Sequence, residues 1–172
     1  MLLAISGDAA AEGREGSERG FGVLLRALGD GWEEVARTPR LAPGQGGVDF
    51  EGALPLPDGR SRPVVQVSDC RDGCCPGVVQ VLGFEPRGEG IEITADELFP
   101  VGASRGGSSA SQALVTGARP IAEAGGPQGL LLRFETREGR ANPAVSYLRI
   151  GLDGARPRVS GVVPTGAVPR CE

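Results

Sequence analysis

Three cysteines crowd one short stretch, SDCRDGCCPG, at Cys70, Cys74 and Cys75, and a fourth is Cys171. Four thiols allow three pairings. A bond between the adjacent Cys74 and Cys75 would close a strained ring. The expected arrangement therefore joins Cys70 to one of them and Cys171 to the other. Such a bridge ties the tail to a loop about a hundred residues earlier and restricts the unfolded chain. Two alternatives stay open at this point: free thiols, and a Cys-only zinc site, although adjacent cysteines with one distant ligand depart from the paired C-x-x-C arrangement. The disulfide reading implies an oxidising compartment, so the expected location is extracytoplasmic: periplasmic, cell surface or secreted.

Other reactive constellations are limited by what the chain lacks. Gly102-Ala103-Ser104-Arg105-Gly106 matches G-x-S-x-G, the turn that exposes a nucleophilic serine in hydrolases. That serine needs a base, and the chain has neither His nor Lys; all 18 basic residues are Arg. The missing lysine also removes a P-loop and Schiff-base or pyridoxal chemistry. No enzyme activity, cofactor or metal site is therefore expected. Carboxylate-only chemistry stays open, with Glu33 and Glu34 or Asp96 and Glu97 as sequence-adjacent pairs, because glycosidases need only Asp or Glu on facing elements.

Charge constrains the partners. The 18 basic and 22 acidic residues leave a formal charge of -4, without the concentrated basic face that nucleic acid or an anionic membrane requires. No apolar run approaches the ~20 residues of a membrane-spanning helix, so no membrane insertion is expected. Residues Met1 to Ser6 carry no basic segment and a very short apolar run, unlike a signal peptide. A mature form or a piece of a longer protein is the expectation. In the last third, Arg133, Arg137, Arg140, Arg149, Arg156 and Arg158 are interspersed with Glu135 and Glu138, which reads as a salt-bridged surface.

Short strands must carry these residues, because 29 Gly and 14 Pro truncate longer helical patterns. Three stretches share a layout. LLAIS (Leu2–Ser6), FGVLLRAL (Phe21–Leu28) and WEEVAR (Trp32–Arg37) form the first. PVVQVS (Pro63–Ser68), GVVQVLGF (Gly77–Phe84) and IEIT (Ile91–Thr94) form the second. LLLRFE (Leu130–Glu135), AVSYLRI (Ala144–Ile150) and RVSGVV (Arg158–Val163) form the third. Alternation in Ile91–Thr94, Leu132–Glu135 and Val48–Glu51 has the period of a strand. Asp30-Gly31 and Asp153-Gly154 sit where hairpin turns are needed. Extra leading strands are expected near Val48–Leu56 and Gln112–Thr116. Trp32–Ala36 and Ala95–Phe99 are the two places for a turn or two of helix, and Ala9–Gly20 and Gly102–Ser111 read as loops.

The segment LPDGRSRPVVQVS (Leu56–Ser68), and less clearly Phe21-Gly22, resembles the blades of FG-GAP or integrin-type β-propellers of bacterial secreted proteins. The resemblance implies four-stranded units of about sixty residues. The family's calcium loop is similar to D-x-D-x-D-G, but Leu54 and Leu56 precede Asp58-Gly59 here, so calcium binding is not implied.

The fold expected is thus all-β, residues 1–172 forming one domain with little helix. Antiparallel meander repeats would span 1–40, 47–100 and 111–164, as propeller-blade-like units or an irregular β-sandwich. The function expected is a non-catalytic extracytoplasmic binding or structural module. Loops after each first strand (Asp8–Gly20, Asp69–Pro76 and Thr136–Pro143) should cluster at one end, with Asp69, Arg71, Asp72, Arg137 and Arg140 as the binding surface for a protein or glycan. The alternatives are a carboxylate-dependent glycan-active enzyme, and a homo-oligomer or subunit of a larger assembly whose sheet edges pair between chains.

Overall fold

A computed structural model describes residues 2–6, 21–37, 48–87, 90–104, 110–123, 126–163 and 168. Among the described residues the chain is all-β and contains no helix. The strands are β1 (Leu2–Ser6), β2 (Phe21–Leu28), β3 (Gly31–Arg37), β4 (Val48–Pro55), β5 (Ser61–Ser68), β6 (Cys74–Arg87), β7 (Gly90–Ser104), β8 (Ser111–Glu123), β9 (Gly126–Glu138), β10 (Ala144–Asp153) and β11 (Arg156–Ser160). The strands read from the sequence are present, including the two leading strands, which are β4 and β8, except that the last one ends at Ser160 and residues 161–163 lie beyond it. The two helical turns expected at Trp32–Ala36 and Ala95–Phe99 are instead strand, in β3 and β7. Ladder pairing of β7 with β6 and of β3 with β2 overrides a weak local helix preference.

All neighbours in the sheets are consecutive and antiparallel. β1, β2 and β3 make a three-stranded sheet, and β4 to β11 make an eight-stranded meander in chain order. Pairing within that meander is uneven. β6 and β7 pair along almost their full length, as do β8 and β9, whereas β7 meets β8 only at Gly102–Ser104 against Ser111–Ala113. From that corner the two halves fold face to face, with β4 packed on β8 and β9, and β11 on β7. The second and third sequence units are thereby the two layers of a sandwich.

Alternate residues of both layers fill the space between them, as the two-residue period of a strand requires. Leu54, Val64, Val79, Val81, Phe99 and Val101 from one half meet Ala113, Val115, Leu130, Leu132, Phe134, Leu148 and Ile150 from the other. The Phe99 and Phe134 rings meet edge to face with centroids 5.7 Å apart, a geometry worth about 0.5–1.5 kcal/mol beyond the area it buries. Arg133 and Arg149 face away from Leu132, Phe134, Leu148 and Ile150, as the alternation implies. The first layer is also apolar on its outer side, where Val65, Val67 and Leu82 form a second cluster with Val48, Val78 and Phe84. β3 packs on β7 and β1 on β4.

Two local readings need correction. Gly29-Asp30 and Gly154-Ala155 are the central turn residues, one position before or after the expected Asp-Gly pairs, because Gly29 and Gly154 hold the positive φ (62° each). Glycine at the first central position also suits a tight hairpin. The alternation in Val48–Glu51 does not place Phe50 inside: Phe50 is 60% exposed. A bulge between Phe50 and Gly52 leaves Glu51 unpaired and shifts the inward series to Gly52 and Leu54.

Candidate functional site

The cysteine-rich segment is a hairpin. Arg71 and Cys74 exchange backbone hydrogen bonds of 2.7 and 2.8 Å, and the residues between them, Asp72 and Gly73, hold φ of 49° and 79°. Positive φ at both central positions is the signature of the primed turn that matches strand twist, and Asp-Gly is a favoured pair for it. One rung below, Cys70 and Cys75 form a disulfide. One rung further, the Asp69 amide donates to the Pro76 carbonyl at 2.8 Å. The expected pairing of Cys70 with one of the two adjacent cysteines is thus realised through Cys75. Cys74 is disulfide-bonded as well, and the expected bridge to Cys171 lies outside the described residues. The sequence reading treated Asp69–Pro76 as a loop; strand β6 in fact begins at Cys74, and Asp72-Gly73 was the overlooked turn signal.

Sheet register places this hairpin relative to the third unit. Cys74 pairs with Ser104, Ser104 with Ser111, and Ser111 with Glu138. The Gly139 amide then donates to the Ala110 carbonyl at 2.6 Å. The β5–β6 and β9–β10 turns therefore emerge at the same end of the sheet, three strand steps apart. Asp69, Arg71 and Asp72 share that end with Arg137 and Arg140. The third loop expected there, Asp8–Gly20, lies outside the described residues.

Their surroundings differ. Arg71 and Asp72 are exposed at the tip, while Asp69 is partly buried and pairs with Arg71 at 3.3 Å. The second Asp69 carboxylate oxygen, Oδ1, is buried without a hydrogen-bond partner among the described residues, a position that suits an ordered water. Arg137 lines an open cleft of about 120 Å³ together with Gln112, Glu135 and Pro143. Glu135 is ion-paired to Arg133, which also donates to the Thr116 hydroxyl at 2.7 Å. Arg137 and Arg140 make no ion pair among the described residues. Gln112, Glu135 and Pro143 were not singled out from sequence. Only the cross-strand register, Gln112 opposite Arg137, brings them together.

The other chemical candidates separate. Ser104 lies in β7, with its Oγ 3.3 Å from Ser111 Oγ. Gly102 to Ser104 are paired strand rather than a turn into a helix, and Arg105-Gly106 lie outside the described residues. Glu33 and Glu34 are neighbours on β3, and Asp96 and Glu97 on β7, so the side chains of each pair point to opposite faces. Glu33 pairs with Arg26 at 2.7 Å and Asp96 with Arg62 at 2.5 Å. A carboxyl that sequence reasoning missed is Glu51 at the β4 bulge. Burial, aided by the nearby Asp49 charge, pushes it up to about 7. No group of three or more His, Cys, Asp or Glu able to hold a metal ion occurs among the described residues. No helix among them is long and apolar enough to cross a membrane.

No protein-family model, curated protein or solved structure matches this chain.

Proposed function

We propose that the chain is a non-catalytic extracytoplasmic binding module, in which a folded β-meander presents the β5–β6 and β9–β10 turns to a protein or glycan partner. One observation carries the reading: the disulfide-closed Asp69–Pro76 hairpin emerges at the same end of the sheet as the Arg137–Arg140 turn. A two-residue turn already held by two backbone hydrogen bonds gains little shape from a disulfide. Rigidity at an exposed tip, which lowers the ordering cost of binding, is what the crosslink adds. Disulfides persist in oxidising compartments, which supports export.

The test replaces Cys70–Cys75 and, separately, Gly139–Pro143 with Gly/Ser linkers and probes arrays of extracellular proteins and glycans. Loss of capture by either variant, with the far-ultraviolet spectrum unchanged, is expected. Unchanged capture by both would overturn the reading.

A second reading, a carboxylate-dependent enzyme acting on glycans, is favoured by Glu51, whose carboxyl at about 7 matches the range that general acids occupy near neutral pH. Glycoside hydrolysis abolished by Glu51→Gln would support it, and the absence of any hydrolysis would remove it.

A further inference from the structure

The outer face of β8, β9 and β10 carries two parallel stripes that differ in chemistry. Pro143, just before β10, and Val145 and Tyr147 on it follow one another at every second position, with Val145 43% and Tyr147 58% exposed. Beside them on β9 run Arg137, Glu135 and Arg133: Val145 lies opposite Glu135, and Tyr147 opposite Arg133. Gln112 of β8 flanks Arg137 on its other side. Four residues at ~3.4 Å each put about 14 Å between the Pro143 and Tyr147 ends of the apolar stripe.

Charge along the polar stripe is unevenly compensated. Arg133 and Glu135 neutralise one another, so the charge that faces the cleft unpaired, among the described residues, is that of Arg137. A guanidinium with a neutral amide beside it is a fork for a planar anion, above all a carboxylate. The cleft, about 120 Å³, is far below the roughly 300–1,000 Å³ of a small-molecule site, and suits one acidic group or ring of a longer ligand that continues along the face.

We propose that this face binds an acidic glycan, a chain of hexuronate sugars. One carboxylate is held by Arg137 and Gln112 in the cleft, and the following rings lay their CH faces on Val145 and Tyr147. The inference rests on the reading of the chain as a binding module and names the ligand class. Sugar rings combine an apolar face with equatorial hydroxyls and, in uronates, a carboxylate, and so complement both stripes at once.

The experiment titrates the full chain with a 1→4-linked hexuronate tetramer and with the neutral hexose tetramer, by calorimetry and by amide and side-chain NMR shifts. Binding of the uronate at least tenfold tighter than the neutral tetramer is expected, weakening as salt is raised from 50 to about 300 mM as screening tightens. Shifts should map to the Gln112 side-chain amide and Tyr147. Arg137→Ala should lose at least tenfold, Arg137→Lys should recover part of that, and Tyr147→Ala should weaken binding at both salt levels. Arg26→Ala, on the separate β1–β3 sheet, should change nothing. Equal affinity for the neutral tetramer, no binding of either, or uronate binding indifferent to Arg137→Ala would overturn the inference. Capture of an acidic peptide or protein in place of the glycan, still lost on linker replacement, would overturn it while leaving the binding-module reading intact.

Discussion

Gln66 on β5 reaches across the core to Val115 on β8, whose amide donates to its side-chain oxygen at 3.2 Å. The bond joins the two layers of the sandwich at the bulge between Val115 and Gly117, where the ladder to β9 is interrupted. Gln66 is a polar side chain buried among the apolar residues of the interior. Its length lets its side-chain oxygen reach a backbone donor beside the bulge.

Gln66→Leu therefore buries the Val115 N–H without an acceptor. Such a group costs about 1–3 kcal/mol, and urea unfolding should show that loss with an unchanged slope. An unaltered midpoint would mean that Val115 has a second acceptor.

Arg62 lies across β6 to reach Asp96 on β7, donating on the way to the Val81 and Leu82 carbonyls. Gly83 makes room for it: a Cβ there would sit 2.6 Å from Thr94 Oγ1 and 2.9 Å from Arg62 Nη2. Gly83→Ala should destabilise by on the order of 1–3 kcal/mol through overpacking. In an Arg62→Met background the same change should cost less, and a double-mutant cycle reads the difference. Equal costs in both backgrounds would show that Gly83 does not serve Arg62.

With Cys70 and Cys75 paired and Cys74 bonded, the sequence expectation of a bridge to Cys171 now falls on Cys74. Non-reducing peptide mapping should recover a Cys74–Cys171 crosslinked pair, and Cys171→Ser should leave Cys74 as the one alkylatable thiol. Removing Cys70 and Cys75 together should cost at most about 2 kcal/mol for so small a loop.

Glu51 sets a pH dependence of stability. Its folded pKa of about 7 lies above the ordinary 4.5, so between these values the folded state binds the proton that the unfolded state releases. Stability is then greatest below about 4.5 on this account and declines as pH rises through 7. Glu51→Gln should flatten that decline and raise Tm at pH 8. The gain should be on the order of 1 kcal/mol after solvent screening of a half-buried group, or about 2–4 °C. A decline of the same size in the variant would assign it to another group.

The strands were legible because Gly, Pro and Asp-Gly punctuate them closely and because Val, Leu and Ile alternate within them, as in Leu130–Glu135. Local pattern failed where a bulge intervenes: Glu51 and Thr116 each add a residue that reverses inside and outside, and no composition signal marks them. The cysteine hairpin was half legible. Adjacency excluded one pairing, but the Asp72-Gly73 turn that aligns Cys70 with Cys75 was read as loop. The Arg137 cleft was the least legible part, because Gln112 on β8, Arg137 on β9 and Pro143 in the β9–β10 turn meet through register, which sequence spacing does not encode.

The most direct test of an exported module with a disulfide-closed recognition end is intact mass of the native protein after cell fractionation and alkylation without reductant. Recovery in the extracytoplasmic fraction with no cysteine alkylated, and four alkylated after reduction, is the expected result. Recovery in the cytoplasm with four alkylated cysteines would contradict it.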